Sequence, residues 1–343
     1  MLPETTALKL SNYQWRAASI NDTVGREELA AHGFLWQQLL GDGSAIYSSN
    51  GASDDNEFTC VEASAVHRSI SFAGQACSRP LGKLKLMAIV NLTEDSFSDG
   101  GTYQINDEAL RNHCQQLIAE GADILDFGAE STRPNACEVD DETQIKLLSN
   151  AMRVLSDLKV TLSIDTRSSV VARHCLQRGA NIINDVSAFG DKEMPATIAE
   201  FGAQVVLMHS RGTAKTMRQH CDYDYLIGEI CDELSLRVNA GIDAGIDAAN
   251  IIIDPGIGFA KTAQQNFDII GNLRAFRSLG FPVLAGPSRK SFISSVLPHL
   301  EPQQRDGATM GAASVCAYNE AEYLRLHSGG SNWDAVRIAQ ACN

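Results

Sequence analysis

From residue 83 onward, hydrophobic positions come in short, nearly unbroken runs, and polar positions collect where each run stops. The runs are LKLMAIV (84–90), DILDFG (123–128), TLSIDT (161–166), NIINDV (181–186), QVVLMH (204–209), NIIIDPG (250–256), PVLAG (282–286) and YLRLH (323–327). They are continuous rather than alternating in apolar character, which is how strands covered on both faces of a parallel sheet read. Between them lie helical patterns. Residues 107–122, DEALRNHCQQLIAEGA, place Leu110, Cys114, Leu117 and Ile118 on one face and end in glycine. Residues 168–180 and 223–245 repeat that design. Eight strands, each followed by a helix, predict an α/β chain of the (β/α)8 TIM-barrel type. A doubly wound sheet is the competing architecture, but no G-x-G-x-x-G follows the first run.

Residues 1–82 have no such rhythm. SSNGASDDNEFTC is polar and turn-rich, and GREELAAHGFLWQQLL (25–40) predicts a single helix. The chain therefore divides into an irregular N-terminal extension, 1–82, and a barrel, 83–343, with the extension expected as a partly helical or disordered arm.

Composition narrows the class. The chain has 343 residues, 44% hydrophobic and 20% charged, in the range of a globular protein with a full core. A formal net charge of −14 argues against nucleic acid or an anionic membrane surface as a partner. No apolar run is long enough to span a bilayer, and the first residues lack the basic-then-apolar pattern of a secretory signal, so a cytoplasmic location is expected. The 9 cysteines form no C-x-x-C pair, which fits reduced thiols better than zinc or disulfides.

In a TIM barrel the chemistry sits at the C-terminal ends of the strands. There the chain places Asn91, Asp126, Asp165, Asn184 with Asp185, His209, Asp254, the SRKS of 288–291, and Arg325 with His327. Charged and amide groups are costly to bury unless paired, so a ring of them implies a polar ligand. Asp165, Asn184 and Asp254 suit a flat, donor-rich heterocycle, because a carboxylate accepts two parallel N–H bonds from an amino-amidine edge. Arg133, Lys290, Arg325 and His327 supply positive charge for an anion such as pyrophosphate. Ser288 and Ser291 fall where a helix is expected to start, a place where carboxylates and phosphates bind.

The blocks NLTEDSFSDGG (91–101), GAESTRPNA (128–136), SIDT (163–166), NIINDVS (181–187), LMH (207–209), IIDPGIGFAKTAQQN (252–266), GPSRKSFI (286–293) and LRLH (324–327) resemble those of the dihydropteroate synthase family, in order over residues 84–327. The resemblance implies condensation of 6-hydroxymethyl-7,8-dihydropterin diphosphate with p-aminobenzoate, giving dihydropteroate and pyrophosphate in folate biosynthesis. It implies that Asp254, Asn184 and Asp165 hold the pterin edge, with Lys290 on the ring's oxygen and nitrogen and Met208 among the substrate contacts. Asn91, Arg133, Arg325 and His327 match the diphosphate and Mg²⁺ positions, Asn91 as the metal ligand. Thr132, Pro134, Phe259 and Ser291 match the aminobenzoate pocket. Asp165, Lys290 and Arg133 take the catalytic roles. A homodimer and the status of a sulfonamide target also follow from the resemblance.

Some positions depart from the family pattern. Glu94 stands where proline is usual, Asn135 where glycine is common, and the loop after His327 is longer. Two other functions compete. A pterin-binding methyltransferase domain shares the barrel and the pterin edge but has no use for ESTRP, SRKS and RLH. A non-catalytic homologue has no reason to keep the whole ligand set.

Overall fold

The apolar runs become strands and the amphipathic segments between them become helices. A computed structural model describes residues 14–19, 35–39, 44–49, 81–92, 106–130, 139–213, 215–224, 226–327 and 332–342, the first three segments by their backbone. In those three, strands β1 (Gln14–Ser19), β2 (Leu35–Leu39) and β3 (Ser44–Ser49) form an antiparallel sheet in the order β1-β3-β2. This corrects the helix expected over 25–40, whose LWQQL portion is strand β2. The GDG at 41–43, a strong turn signal between two short apolar segments, favours pairing with the next segment over helix propensity.

The barrel strands are β4 (Lys85–Asn91), β5 (Ile124–Gly128), β6 (Thr161–Asp165), β7 (Ile182–Asp185), β8 (Gln204–Met208), β9 (Ile251–Asp254), β10 (Leu284–Ala285) and β11 (Tyr323–Leu326). They pair in parallel in the order β10-β11-β4-β5-β6-β7-β8-β9. A parallel bridge between Ile253 and Val283 joins the two ends, with the Ile253 N–H donating to the Pro282 carbonyl at 2.9 Å. A closed sheet has no edge to protect.

Helices α1 (Asp107–Ala119), α2 (Asp141–Val154), α3 (Ser169–Leu176), α4 (Met194–Phe201), α5 (Leu226–Asp243), α6 (Ala263–Gly271), α7 (Asp306–Tyr318) and α8 (Asn332–Ala341) alternate with the strands. Their starts are written in the sequence. Asn106 and Asp140 each accept from the backbone N–H three residues on, and Thr262 with Gln265 forms a capping box.

Strand alternation then sorts the side chains. Leu86, Ala88 and Val90 of β4 face outward into the main core under the helices, as do Leu125 and Phe127 of β5. Met87, Ile124, Ile182, Val206, Ile252, Leu284 and Tyr323 form a separate apolar plug inside the barrel. Two residues further along, four of these inward positions turn polar, Asp126, Asn184, Asp254 and Arg325, and Met208 stays apolar beside them. The plug is the floor and this polar layer is the site.

Candidate active site

Ladder register brings three predicted residues into one row with Gly128: Asn91 lies beside Gly128, Gly128 beside Asp165, and Asp165 beside Asn184. With no side chain at Gly128, the Asn91 Oδ1 and the Asp165 carboxylate face one another across it; a Cβ built there would lie 3.7 Å from Asn91 Oδ1 and 3.7 Å from Asp165 Cβ. Met208, 4% exposed, pairs in register with Asp254 and closes the apolar side.

At the centre stands a residue to which no ligand role was assigned from sequence. Asp126, fully buried, accepts from Ser163 Oγ at 2.5 Å, Asn184 Nδ2 at 3.1 Å and Arg325 Nε at 2.6 Å. Arg325 reaches on to Asp165 Oδ2 with Nη2 at 2.7 Å. One carboxylate thus orients an amide and a guanidinium that both belong to the predicted ligand set. The signal was present: an aspartate at an inward position of ILDFG, two residues beyond Ile124 of the plug.

Burial pushes the Asp165 pKa up to about 7; Arg325 pulls it down and the neighbouring Asp126 pushes it further up. Asp254 is raised by burial too, opposed by the Gly256 N–H, which donates to its Oδ1 at 2.7 Å, and then by Lys290, Lys261 and Arg325. Burial pulls Lys290 down to about 8, with Arg325 adding to the fall and Asp254 and Asp165 opposing it. Two carboxylates and two cations crowded together in this way form a ligand-ready polar cluster, since perturbed groups in a cleft mark functional sites.

Two strained turns set the Lys290 and Phe259 side chains. The loop after β9 is left-handed at Gly256, Gly258 and Ala260, and Arg289 before Lys290 is left-handed at φ 54°. For a non-glycine residue that conformation costs roughly 1–2 kcal/mol. Arg289 is held there by Asp306 at the start of α7, at 2.7 and 2.8 Å, and by Thr309 Oγ1, which accepts its N–H at 3.0 Å. Gly258 allows close approach, since a Cβ there would lie 2.7 Å from Lys290 Cδ. As a result the Lys290 ammonium sits 4.0 Å from the centre of the Phe259 ring.

Ser288 Oγ accepts from the His327 N–H at 3.2 Å and lies 2.9 Å from His327 Nδ1. Ser291 is exposed, and the α-helix expected to begin there is a 3-10 stretch, Ser291–Ser295, with no side-chain cap. Pro298 cannot continue a helix and biases Leu297 away from helical geometry, which leaves only a short stretch after Lys290. Asp185 turns outward and pins its own loop through the N–H groups of Ser187 (2.9 Å) and Phe189 (2.7 Å). Thr132, Arg133 and Pro134, with Glu94 and Asn135, lie outside the described residues. His209 is buried against Glu233 and Lys261.

Among the described residues no group of three or more His, Cys, Asp or Glu side chains is arranged for a metal ion. Asn91 offers a hard amide oxygen, which suits Mg²⁺ as one ligand beside phosphate oxygens and waters.

Comparison with known proteins agrees with this geometry. Residues 87–327 match the family model described as pterin binding enzyme. A dihydropteroate synthase of Synechocystis sp. is 38% identical over 259 residues, spanning 75% of this chain and 87% of the relative. A probable bifunctional folylpolyglutamate synthase/dihydropteroate synthase of Haloferax volcanii is 38% identical over 256 residues, and this chain spans only 30% of its length. The solved structure of Xanthomonas albilineans dihydropteroate synthase with 4-aminobenzoic acid superposes with a TM-score of 0.70 at 36% identity, over 80% of this chain and 97% of that one.

Proposed function

Because the chain belongs to the pterin-binding enzymes, and within them to the dihydropteroate synthase family, we propose that it condenses 6-hydroxymethyl-7,8-dihydropterin diphosphate with p-aminobenzoate to give 7,8-dihydropteroate and pyrophosphate. The observation that carries this reading is the convergence of Asp165, Asn184 and Asp254 with Lys290 and Arg325 above one apolar plug.

An ionised carboxylate has about four acceptor sites. Gly256 uses one on Asp254, and the pterin's 2-amino and ring N–H groups take others. Asn184, turned by its bond to Asp126, completes that edge, and Lys290 donates to the ring oxygen and nitrogen. The methylene–oxygen bond breaks with its electron pair leaving on the diphosphate. Cationic character on the methylene is spread into the electron-rich dihydropterin, with the Asp165 carboxylate nearby. The aminobenzoate nitrogen then forms the new C–N bond and gives up one proton to water. Arg325 and His327, with Arg133, stabilise the departing anion. Phe259 forms one wall of the aminobenzoate pocket.

Asn91 would hold a magnesium ion that arrives with the diphosphate. Such an ion supplies charge neutralisation at the leaving group. The exposed Val315 and Tyr318 on α7 support a homodimer through helices late in the barrel. No helix among the described residues is long and apolar enough to cross a membrane.

A coupled assay for pyrophosphate release, run with and without p-aminobenzoate, tests the reading. Release that requires the amine, with dihydropteroate as co-product, is the expected result. No release with both substrates present would overturn it.

A further inference from the structure

The loop after β9 is left-handed at three residues within five, Gly256, Gly258 and Ala260, and the last of these is an alanine. Strain of that kind persists only where the surroundings over-determine it, and it clusters at functional sites. Three side chains hold this loop. Tyr223 Oη donates to the Ala260 carbonyl at 3.1 Å, Asn266 Oδ1 accepts from the Gly258 N–H at 2.5 Å, and Lys261 Nζ donates to the Phe259 carbonyl at 2.9 Å.

Lys261 also reaches out of the loop. Its ammonium lies 3.0 Å from His209 Nδ1, at the end of β8, and His209 Nε2 lies 3.1 Å from Glu233 Oε2 on α5. Burial drives the His209 pKa down to about 4, so the ring is neutral at neutral pH. A lysine donating to Nδ1 leaves the ring proton on Nε2, facing the carboxylate. Glu233 is fixed in turn by Arg211. The chain thus runs from the Glu233 carboxylate, which accepts from His209 Nε2, to Lys261, which donates to His209 Nδ1 and to the Phe259 carbonyl. Burial also pulls Lys261 down to about 7, a cost that an apolar residue would not carry.

The arrangement ends on Phe259, whose ring packs against Lys290. We propose that Lys261 is a positioning residue for the aminobenzoate half of the pocket: clamped between His209 and the Phe259 carbonyl, it keeps the strained loop in the one shape that seats the Phe259 ring on Lys290. The inference rests on the synthase reading of the same site.

Initial rates of the full chain, with each substrate varied in turn, test it on Lys261→Met, which keeps the length and apolar stem, and on His209→Leu and His209→Gln. In Lys261→Met the KM for p-aminobenzoate is expected to rise at least five-fold, while kcat and the KM for the pterin diphosphate stay within three-fold. His209→Leu, which removes the acceptor but leaves the lysine, is expected to move the same constant, and His209→Gln, which keeps an acceptor oxygen, to move it less. A rise below five-fold in folded Lys261→Met, or losses shared equally by both substrates and kcat, would overturn the proposal. Should Lys261→Met not fold, the same criteria apply to His209→Leu. A wild-type chain that forms no dihydropteroate would instead overturn the synthase reading, which the same assay reports separately.

Discussion

Arg325 and Asp126, 199 residues apart in sequence, meet at 2.6 Å across the floor of the site. The carboxylate is fully buried and the arginine side chain is 19% exposed, so little solvent screens the pair. The same guanidinium holds Asp165, and the same carboxylate holds Asn184. Asp126 is therefore the hub on which three substrate-facing groups are oriented.

Replacing Asp126 by asparagine keeps the shape and removes the charge. Arg325 keeps Asp165 as an ionic partner, so the loss is that of one buried charge-assisted hydrogen bond, at a cost of about 1.5–3 kcal/mol. Asp126→Asn should lower unfolding stability by about that much in urea titration, and should lower turnover together with pterin affinity. A variant as stable as wild type, with unchanged pterin affinity, would remove Asp126 from this role.

Asp254→Asn tests the pterin edge directly. The amide can still accept from Gly256 but sets an N–H₂ group against the pterin's own N–H donors, and the unpaired donors then carry the penalty. Loss of pterin affinity by about 10²-fold, with turnover falling alongside, is expected from calorimetric titration and steady-state rates. Near-normal activity would place the ring elsewhere.

Much of this was legible in the sequence because parallel barrel strands announce themselves as continuous apolar runs. The end of each run is also where the site must be: Asp165 and Asp254 are the last residues of β6 and β9. What was not legible depends on partners far apart in the chain. Glu233, His209 and Lys261 come from a helix, a strand end and a loop, and nothing local links them. Asp126 looked like another strand-end acid until register placed it beside Ser163. In the N-terminal extension helix propensity misled, because LWQQL gains more by pairing with Ser44–Ser49 than by coiling.

Gly256 is required by two independent facts. Its φ is 73°, and a Cβ there would lie 1.9 Å from the carbonyl oxygen of His209. That oxygen is backbone and cannot swing aside. Gly256→Ala should therefore displace the loop, lower stability by more than the about 1–2 kcal/mol of a left-handed alanine alone, and abolish pterin binding. Thermal melts and ligand titration measure both. A folded variant with wild-type affinity would show that the loop tolerates a second shape.

Lys290 should set the alkaline limit of activity. It works as an ammonium donor to the pterin, and burial brings its pKa down to about 8, with Arg325 reinforcing the shift. The competent protonated form is complete well below that value and is lost as pH rises through it. The kcat/KM for the pterin diphosphate should therefore decline above about pH 8. On the acid side burial raises Asp254 and Asp165, so both lose their charge as pH falls, at higher pH than ordinary carboxylates would. Lys290→Ala should cost at least about 10²-fold in kcat/KM and flatten the alkaline limb. Lys290→Arg, whose guanidinium does not titrate in this range, should move the limb to higher pH whatever its effect on the maximum rate. If the limb stays in place in Lys290→Arg and disappears in Lys261→Met, the titrating group is Lys261, which burial lowers to about 7, and Lys290 is not the donor that limits turnover.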